Sequence, residues 1–308
     1  QRALDAAATY VSTSNANSNQ GALVIVYPND PTANSRQNPR GAYYENLIIT
    51  SKVKLQGVGV GSPDGVIRGS IIDGGAFAGD SPVATDWYTR ILQETTLNAA
   101  GEAVPTWGGN PVINDGAVIS VYVPEPAPVG SSCNAAACRK AFPVAPSANT
   151  APSIDGFDLR GGDQAGFPGN INVIGGTPTG LPGGLTTQGG AVFASAFARD
   201  LRVTNSVVQN NGGAYGAIRI GTPDLAAPYT DNENDGVVIA NNRVVSNAGT
   251  NLAGGVGIFA GANGYQVAAN DICGNFSSEY GGGVSHVGLS PAGVIRDNRI
   301  YFNKSFDE

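Results

Sequence analysis

Asn242-Arg243-Val244-Val245-Ser246-Asn247, Asn270-Asp271-Ile272-Cys273-Gly274-Asn275 and Asn298-Arg299-Ile300-Tyr301-Phe302-Asn303 share the pattern Asn-x-(Val/Ile)-x-x-Asn. A fourth segment, Asn205-Ser206-Val207-Val208-Gln209-Asn210, fits the same template. The intervals between first asparagines are 37, 28 and 28 residues, and the longer one contains Thr222–Asp235, which reads as a loop insertion. A Gly cluster accompanies each unit: Gly189-Gly190, Gly212-Gly213, Gly254-Gly255 and Gly281-Gly282-Gly283. A fixed period with insertions confined to one phase is the mark of one small unit stacked on itself.

Each unit has room for two or three short strands and no helix, so alone it cannot bury its apolar side. Stacking pairs every strand with its equivalent in the next coil, about 4.8 Å away. The expected fold is all-β, a right-handed single-stranded parallel β-helix with Val207, Val244, Ile272 and Ile300 as an internal aliphatic row. The asparagines 205, 242, 270 and 298, and 210, 247, 275 and 303, then superpose as two structural ladders whose amides bond from coil to coil. Turns between the strands need positive φ, which Gly and Asn adopt most readily. An all-β sandwich is the competing architecture. It joins its strands by hairpins and gives no reason for asparagines in phase.

Working outward, Gln1–Val11 places Leu4, Ala7, Ala8 and Val11 on one helical face and reads as a short N-terminal capping helix. Short β-prone runs follow at Ala22–Tyr27, Leu47–Thr50, Val53–Gly57, Ser70–Gly75 and Ala117–Val123, broken by Gly, Pro or Asn. Residues 76–116 and 124–153 read as two long loop insertions in a single domain spanning 1–308. Glu308 arrives in mid-coil with no cap behind it, which leads us to expect further coils beyond it or a second chain that completes the stack.

Composition narrows the function classes. The chain has 308 residues, with 24 acidic and 17 basic side chains and a net charge of −7. That disfavours nucleic-acid and anionic-membrane partners, which need a basic footprint. No apolar run approaches the ~18 residues of a membrane span. Forty-four glycines argue against a helical protein, and 41% hydrophobic content argues against disorder. The chain contains no Met, so it reads as a processed product or part of something longer. Cys133 and Cys138 form a C-x4-C pair with no His nearby, which favours a local disulfide over zinc and suggests an extracellular or cell-surface setting. Cys273 reads as a small buried residue.

The repeats, with the opening Gln1–Ala7, Tyr44–Ile49 and Lys54–Gly57 segments, resemble the pectin-lyase-like superfamily of parallel β-helix repeat proteins. The resemblance implies the fold and a helix over the first coil. It leaves function open, because that superfold hosts lyases, hydrolases, esterases, epimerases, adhesins and phage spikes. Polygalacturonase-like motifs are absent. The single His286 has no acidic neighbour in sequence and reads as a repeat-face residue with a satisfied imidazole.

Pectate-lyase-like chemistry needs stacked carboxylates for Ca²⁺ and a base to remove the proton α to a uronate carboxylate. Asp155, Asp158, Arg160 and Asp163 are the candidates, although strand alternation sets Asp155 apart from Asp158 and Arg160. Turn aspartates with a solvated salt bridge are the plainer account. Asp231, Glu233 and Asp235 alternate with Asn in a partial calcium-loop pattern ending in Gly236, so Ca²⁺ is the one cofactor considered. A solvated acidic loop is the alternative. Trp87, Tyr88 and Trp107 could stack on sugars, or serve as the small core of an insertion.

The expectation is a secreted or cell-surface scaffold for adhesion, surface or fibre structure, or polysaccharide binding, without complete catalytic machinery. The alternative is a polysaccharide lyase or glycoside hydrolase acting on an acidic glycan. Expected partners are a polysaccharide, a second copy, or further coils of the same polypeptide.

Overall fold

Ile72, Leu159, Val208, Val244, Ile272 and Ile300 stack in one inward column, each paired in parallel with the next. They come from the second of four parallel sheets in a computed structural model. It describes residues 1–13, 21–32, 40–76, 87, 90, 116–126, 136–143, 151–162, 189–222 and 231–306. Sheet I has seven strands, from Ala22–Val26 at the top to Val294–Arg296 at the bottom. Sheet II has six, from Ile71–Asp73 to Arg299–Tyr301. Sheet III has four, from Gly212–Tyr215 to Lys304–Ser305, and sheet IV six, from Leu47–Ile49 to Val284–Val287. From Arg202 on the chain visits sheets I, II, III and IV in turn and returns to sheet I one rung lower, and the described strands before it belong to sheets I, II and IV; this is the path of a right-handed parallel β-helix.

The core is the stack of inward columns. Sheet I contributes Val24, Leu55, Ile154, Val203, Ile239, Val267 and Ile295. Sheet IV contributes Leu47, Ile119, Val192, Ile218, Val256 and Val284. Three-residue strands suffice because the neighbouring coils provide the lateral pairing: strands of sheets I and II put one side chain inward, and those of sheet IV put two, such as Ile218 and Ile220. Close approach at the corners demands glycine. A Cβ on Gly255 would lie 2.4 Å from the carbonyl oxygen of Gly283, and one on Gly162 would lie 1.8 Å from that of Gly190.

The ladder is present, with a one-residue correction in its first repeat. Asn242, Asn270 and Asn298 form one column, and Asn247, Asn275 and Asn303 the other. The residues above them are Ser206 and Asn211, not Asn205 and Asn210. Ser206 N–H donates to Asn242 Oδ1 at 3.0 Å, and Asn211 N–H donates to Asn247 Oδ1 at 3.1 Å. Asn205 and Asn210 occupy the left-handed turn positions, with φ of 52° and 55°. The equivalent turn residues below are Asn241, Ala269 and Asp297, and Ser246, Gly274 and Phe302, all at positive φ. Asn suits both the turn and the ladder, so the pattern admits either frame. The shift also moves the internal row: Val208, not Val207, faces inward above Val244.

Helix α1 (Arg2–Thr13) runs slightly beyond the expected 1–11 and buries Leu4, Ala7, Ala8 and Val11 over the first coil. It also packs against α2 (Ala136–Lys140), which lies within the second expected insertion. The strand that follows that insertion, Ser153–Asp155 of sheet I, begins at the residue where the insertion was expected to end. Cys273 faces outward and is half-buried, because the inward place in its strand belongs to Ile272. Among the described residues no helix is long and apolar enough to cross a membrane.

Candidate functional site

The residue after each ladder Asn and the residue two further on point away from the core, so stacking assembles them into two outward columns on sheet II. One column reads Ile71, Asp158, Val207, Arg243, Asp271 and Arg299. The other carries Asp73 paired with Arg160 at the top, and Gln209, Val245, Cys273 and Tyr301 below. The result is a strip of alternating charge along the stack axis.

Asp158 anchors its upper part. The carboxylate is almost fully buried, accepts from Arg160 at 2.5 Å, and accepts from Gln209 Nε2 at 3.0 Å. Lower down, the Arg299 guanidinium donates to Asp271 Oδ2 at 2.9 Å and lies over the Tyr301 ring, 5.8 Å from its centroid. Burial works to raise the Asp271 pKa. The hydrogen bonds from Arg299 and Tyr301 and the charges of Arg299 and Arg243 outweigh it and hold the carboxyl below the usual value. Tyr301 is raised in turn by its hydrogen bonds to Asp271 and Cys273.

The other sequence candidates fall elsewhere. Asp155 lies on sheet I, across the Gly156–Phe157 turn from Asp158, and its carboxylate is taken up by three donors from neighbouring coils. Gln56 Nε2 lies at 2.5 Å, Thr204 Oγ1 at 2.6 Å and Asn205 Nδ2 at 2.5 Å. It clamps three rungs together and does not join Arg160. Asp163, Tyr88, Trp107 and Cys133 lie outside the described residues. Trp87 is buried, at 4% exposure, so it offers no open face for a sugar.

The partial calcium loop resolves into two kinds of residue. Asn232 and Asn234 are fully buried and hold the turn: Asn232 bonds to Thr222 and to the carbonyl of Ala260, and Asn234 Oδ1 accepts from Ala198 N–H. The intervening acids turn to separate partners. Asp231 accepts from Glu233 N–H, Glu233 pairs with Arg199, and Asp235 accepts from Asn263 N–H. Among the described residues no group of three or more His, Cys, Asp or Glu side chains is placed to hold a metal ion. Alternation separates the three carboxylates from the buried asparagines and leaves each with its own partner.

His286 occupies an inward position beneath Ile258, with its Nδ1 3.4 Å from the Tyr265 hydroxyl. Sequence reasoning missed Gln209, Arg243, Asp271, Arg299 and Tyr301. The signal was available in the repeat, whose x positions alternate outward. It also missed Arg219, whose guanidinium is buried on the outer side of sheet IV between the rings of Phe193 and Tyr215, 4.3 and 4.7 Å from their centroids. Its Nε donates to the carbonyl of Gly221 at 2.9 Å.

The strip offers guanidinium, carboxylate, amide and phenol groups in line, which suits hydrogen bonding to an extended polar chain. Acid–base cleavage of a glycoside needs two carboxyl groups about 5–9.5 Å apart. Asp158 and Asp271 are three rungs apart, or about 14 Å, whereas Asp73, paired with Arg160, stands one rung from Asp158. No family model matches the chain, and neither a curated protein nor a solved structure matches it.

Proposed function

We propose that the protein is a secreted or cell-surface β-helical scaffold of the pectin-lyase-like kind that binds polysaccharide along the outer face of sheet II. The observation that carries this is the outward strip from Asp158 to Arg299, in which carboxylates and cations alternate along the stack axis. The parallel stack and its helical cap support the superfamily assignment. The extracellular setting rests on a Cys133–Cys138 disulfide, which is favoured by Cys138 being disulfide-bonded while Cys273 is free. The test is titration calorimetry against a panel of neutral and acidic polysaccharides. Binding weakened by Arg243→Ala or Arg299→Ala is expected. Unchanged affinity in both variants would remove the strip from the binding surface.

The second reading is a polysaccharide lyase. It draws on the Asp158–Arg160 pair, the one acid–base couple that the strip shares with the sequence candidates. Incubation with polyuronates and Ca²⁺ distinguishes the two. Unsaturated product that disappears in Arg160→Ala would establish the lyase, whereas binding without turnover supports the scaffold.

A further inference from the structure

Arg243, Asp271 and Arg299 occupy successive rungs of one outward column on sheet II. Rungs are about 4.8 Å apart, so the two arginines recur at about 9.6 Å with one carboxylate midway between them. Both arginines are exposed. Arg299 donates to Asp271 Oδ2, and Arg243 makes no ion pair among the described residues. The rung above, Val207 and Gln209, is uncharged, and Val245, Cys273 and Tyr301 beside the column are neutral. The strip below Val207 therefore carries one more positive than negative charge, in a chain of net charge −7.

From this spacing we infer that the strip takes an acidic glycan that presents a carboxylate at every second sugar on the edge facing the protein. The inference rests on the polysaccharide-binding reading above and names its ligand class. A pyranose in an extended, equatorially linked chain advances by close to one rung, and successive rings face opposite ways. Carboxylates on one edge then recur at every second rung, where Arg243 and Arg299 stand. A guanidinium fork pairs bidentately with a carboxylate, and Arg299 keeps donors for the ligand because its bond to Asp271 uses one of several N–H groups. The intervening ring brings its hydroxyl edge to Asp271, which accepts from hydroxyls and repels a carboxylate at that rung.

Other extended chains do not fit the interval. Along an extended peptide, side chains on one face recur at about 6.7 Å, short of the arginine spacing. A neutral glycan leaves both guanidinium groups without an anion. Two sources meet the two-rung interval: a chain in which uronates alternate with neutral sugars, and a uniform polyuronate whose intervening carboxylates point away.

Titration calorimetry with four probes tests the interval: the hyaluronan tetrasaccharide with two uronates, the hyaluronan disaccharide with one, cellotetraose with none, and pentaglutamate. The tetrasaccharide is expected to bind about tenfold tighter than the disaccharide or cellotetraose, because it makes two charge-assisted pairs in place of one or none. Arg243→Ala and Arg299→Ala should each abolish that advantage. Arg243→Ala combined with Val207→Arg keeps the net charge but sets the cations three rungs apart, and is expected not to restore it. No advantage for the tetrasaccharide, full restoration in the shifted variant, or equal affinity for pentaglutamate would overturn the interval while glycan binding through the strip stands. Glycan binding that is absent, or indifferent to both single arginine variants, would remove the strip itself and the inference with it. Tetraglucuronate separates the two sources: affinity equal to that of the hyaluronan tetrasaccharide admits a uniform polyuronate, and weaker binding restricts the ligand to the alternating chain.

Discussion

Asn247 Oδ1 accepts two hydrogen bonds from Asn211, one from the backbone N–H at 3.1 Å and one from Nδ2 at 3.0 Å. Asn247 passes the pattern on, with its own Nδ2 donating to Val208 O and Asn275 Oδ1. One buried side chain thus holds three coils in register.

Asn247→Ala removes these bonds and leaves buried donors and an acceptor unpaired. The expected cost is about 2–4 kcal/mol, since each orphaned group costs about 1–3. Asn210→Gly, at a turn position with φ of 55°, is expected to change stability by less than about 1 kcal/mol. Urea unfolding of the two variants checks the contrast, and equal losses would contradict the corrected ladder frame.

Gly255→Ala is expected to cost about 1–3 kcal/mol, because its Cβ would meet the Gly283 carbonyl oxygen at 2.4 Å and force two rungs apart. Gly274→Asn is the control. Gly274 has φ of 64° and open space around it, and the same turn position carries Asn210 in the first repeat. Thermal melts should show a clear loss for the first and almost none for the second.

Asp200 supplies a pH signature. Burial raises its pKa above the usual 3.8, with Asp235 adding to the rise and Arg202 and Arg199 opposing it. Between 3.8 and the raised value the folded state binds more protons than the unfolded one, so this group's contribution to stability falls as pH rises through that window. Asp200→Asn is expected to melt higher than the parent at pH 7, with the difference closing below about pH 4. A lower melting temperature at pH 7 would reverse the assignment.

Asp271 has the opposite sign. Its lowered pKa gives stability that is present above 3.8 and lost as pH falls through the depressed value. Arg299→Ala removes the main lowering partner, so carboxyl NMR titration should find the Asp271 midpoint raised. The stability change should stay small, because exposed ion pairs contribute about 0–1 kcal/mol.

The capping helix was legible because Leu4, Ala7, Ala8 and Val11 keep helical spacing whatever lies beneath them. The strand Ala22–Val26 was legible because its apolar, β-branched-rich run stops near Pro28, and Val53–Gly57 because its apolar and polar residues alternate up to Gly57. Cys273 was misread for a local reason: Asn-Asp-Ile-Cys holds one inward place, and Ile272 takes it. The candidate site was harder to see. Arg243, Asp271 and Arg299 are 28 residues apart from one to the next, so their grouping exists only across rungs.

The sequence by itself determined the stacked β architecture, because a 28-residue period without room for helices leaves each coil's apolar row no cover except the next coil. Only the tertiary structure decided which of two adjacent residues enters each ladder, Ser206 or Asn205 and Asn211 or Asn210. A one-residue shift preserves the local pattern and composition but turns every side chain to the opposite face. The bonds that distinguish the two frames run between coils 36 residues apart, where no short motif can register them.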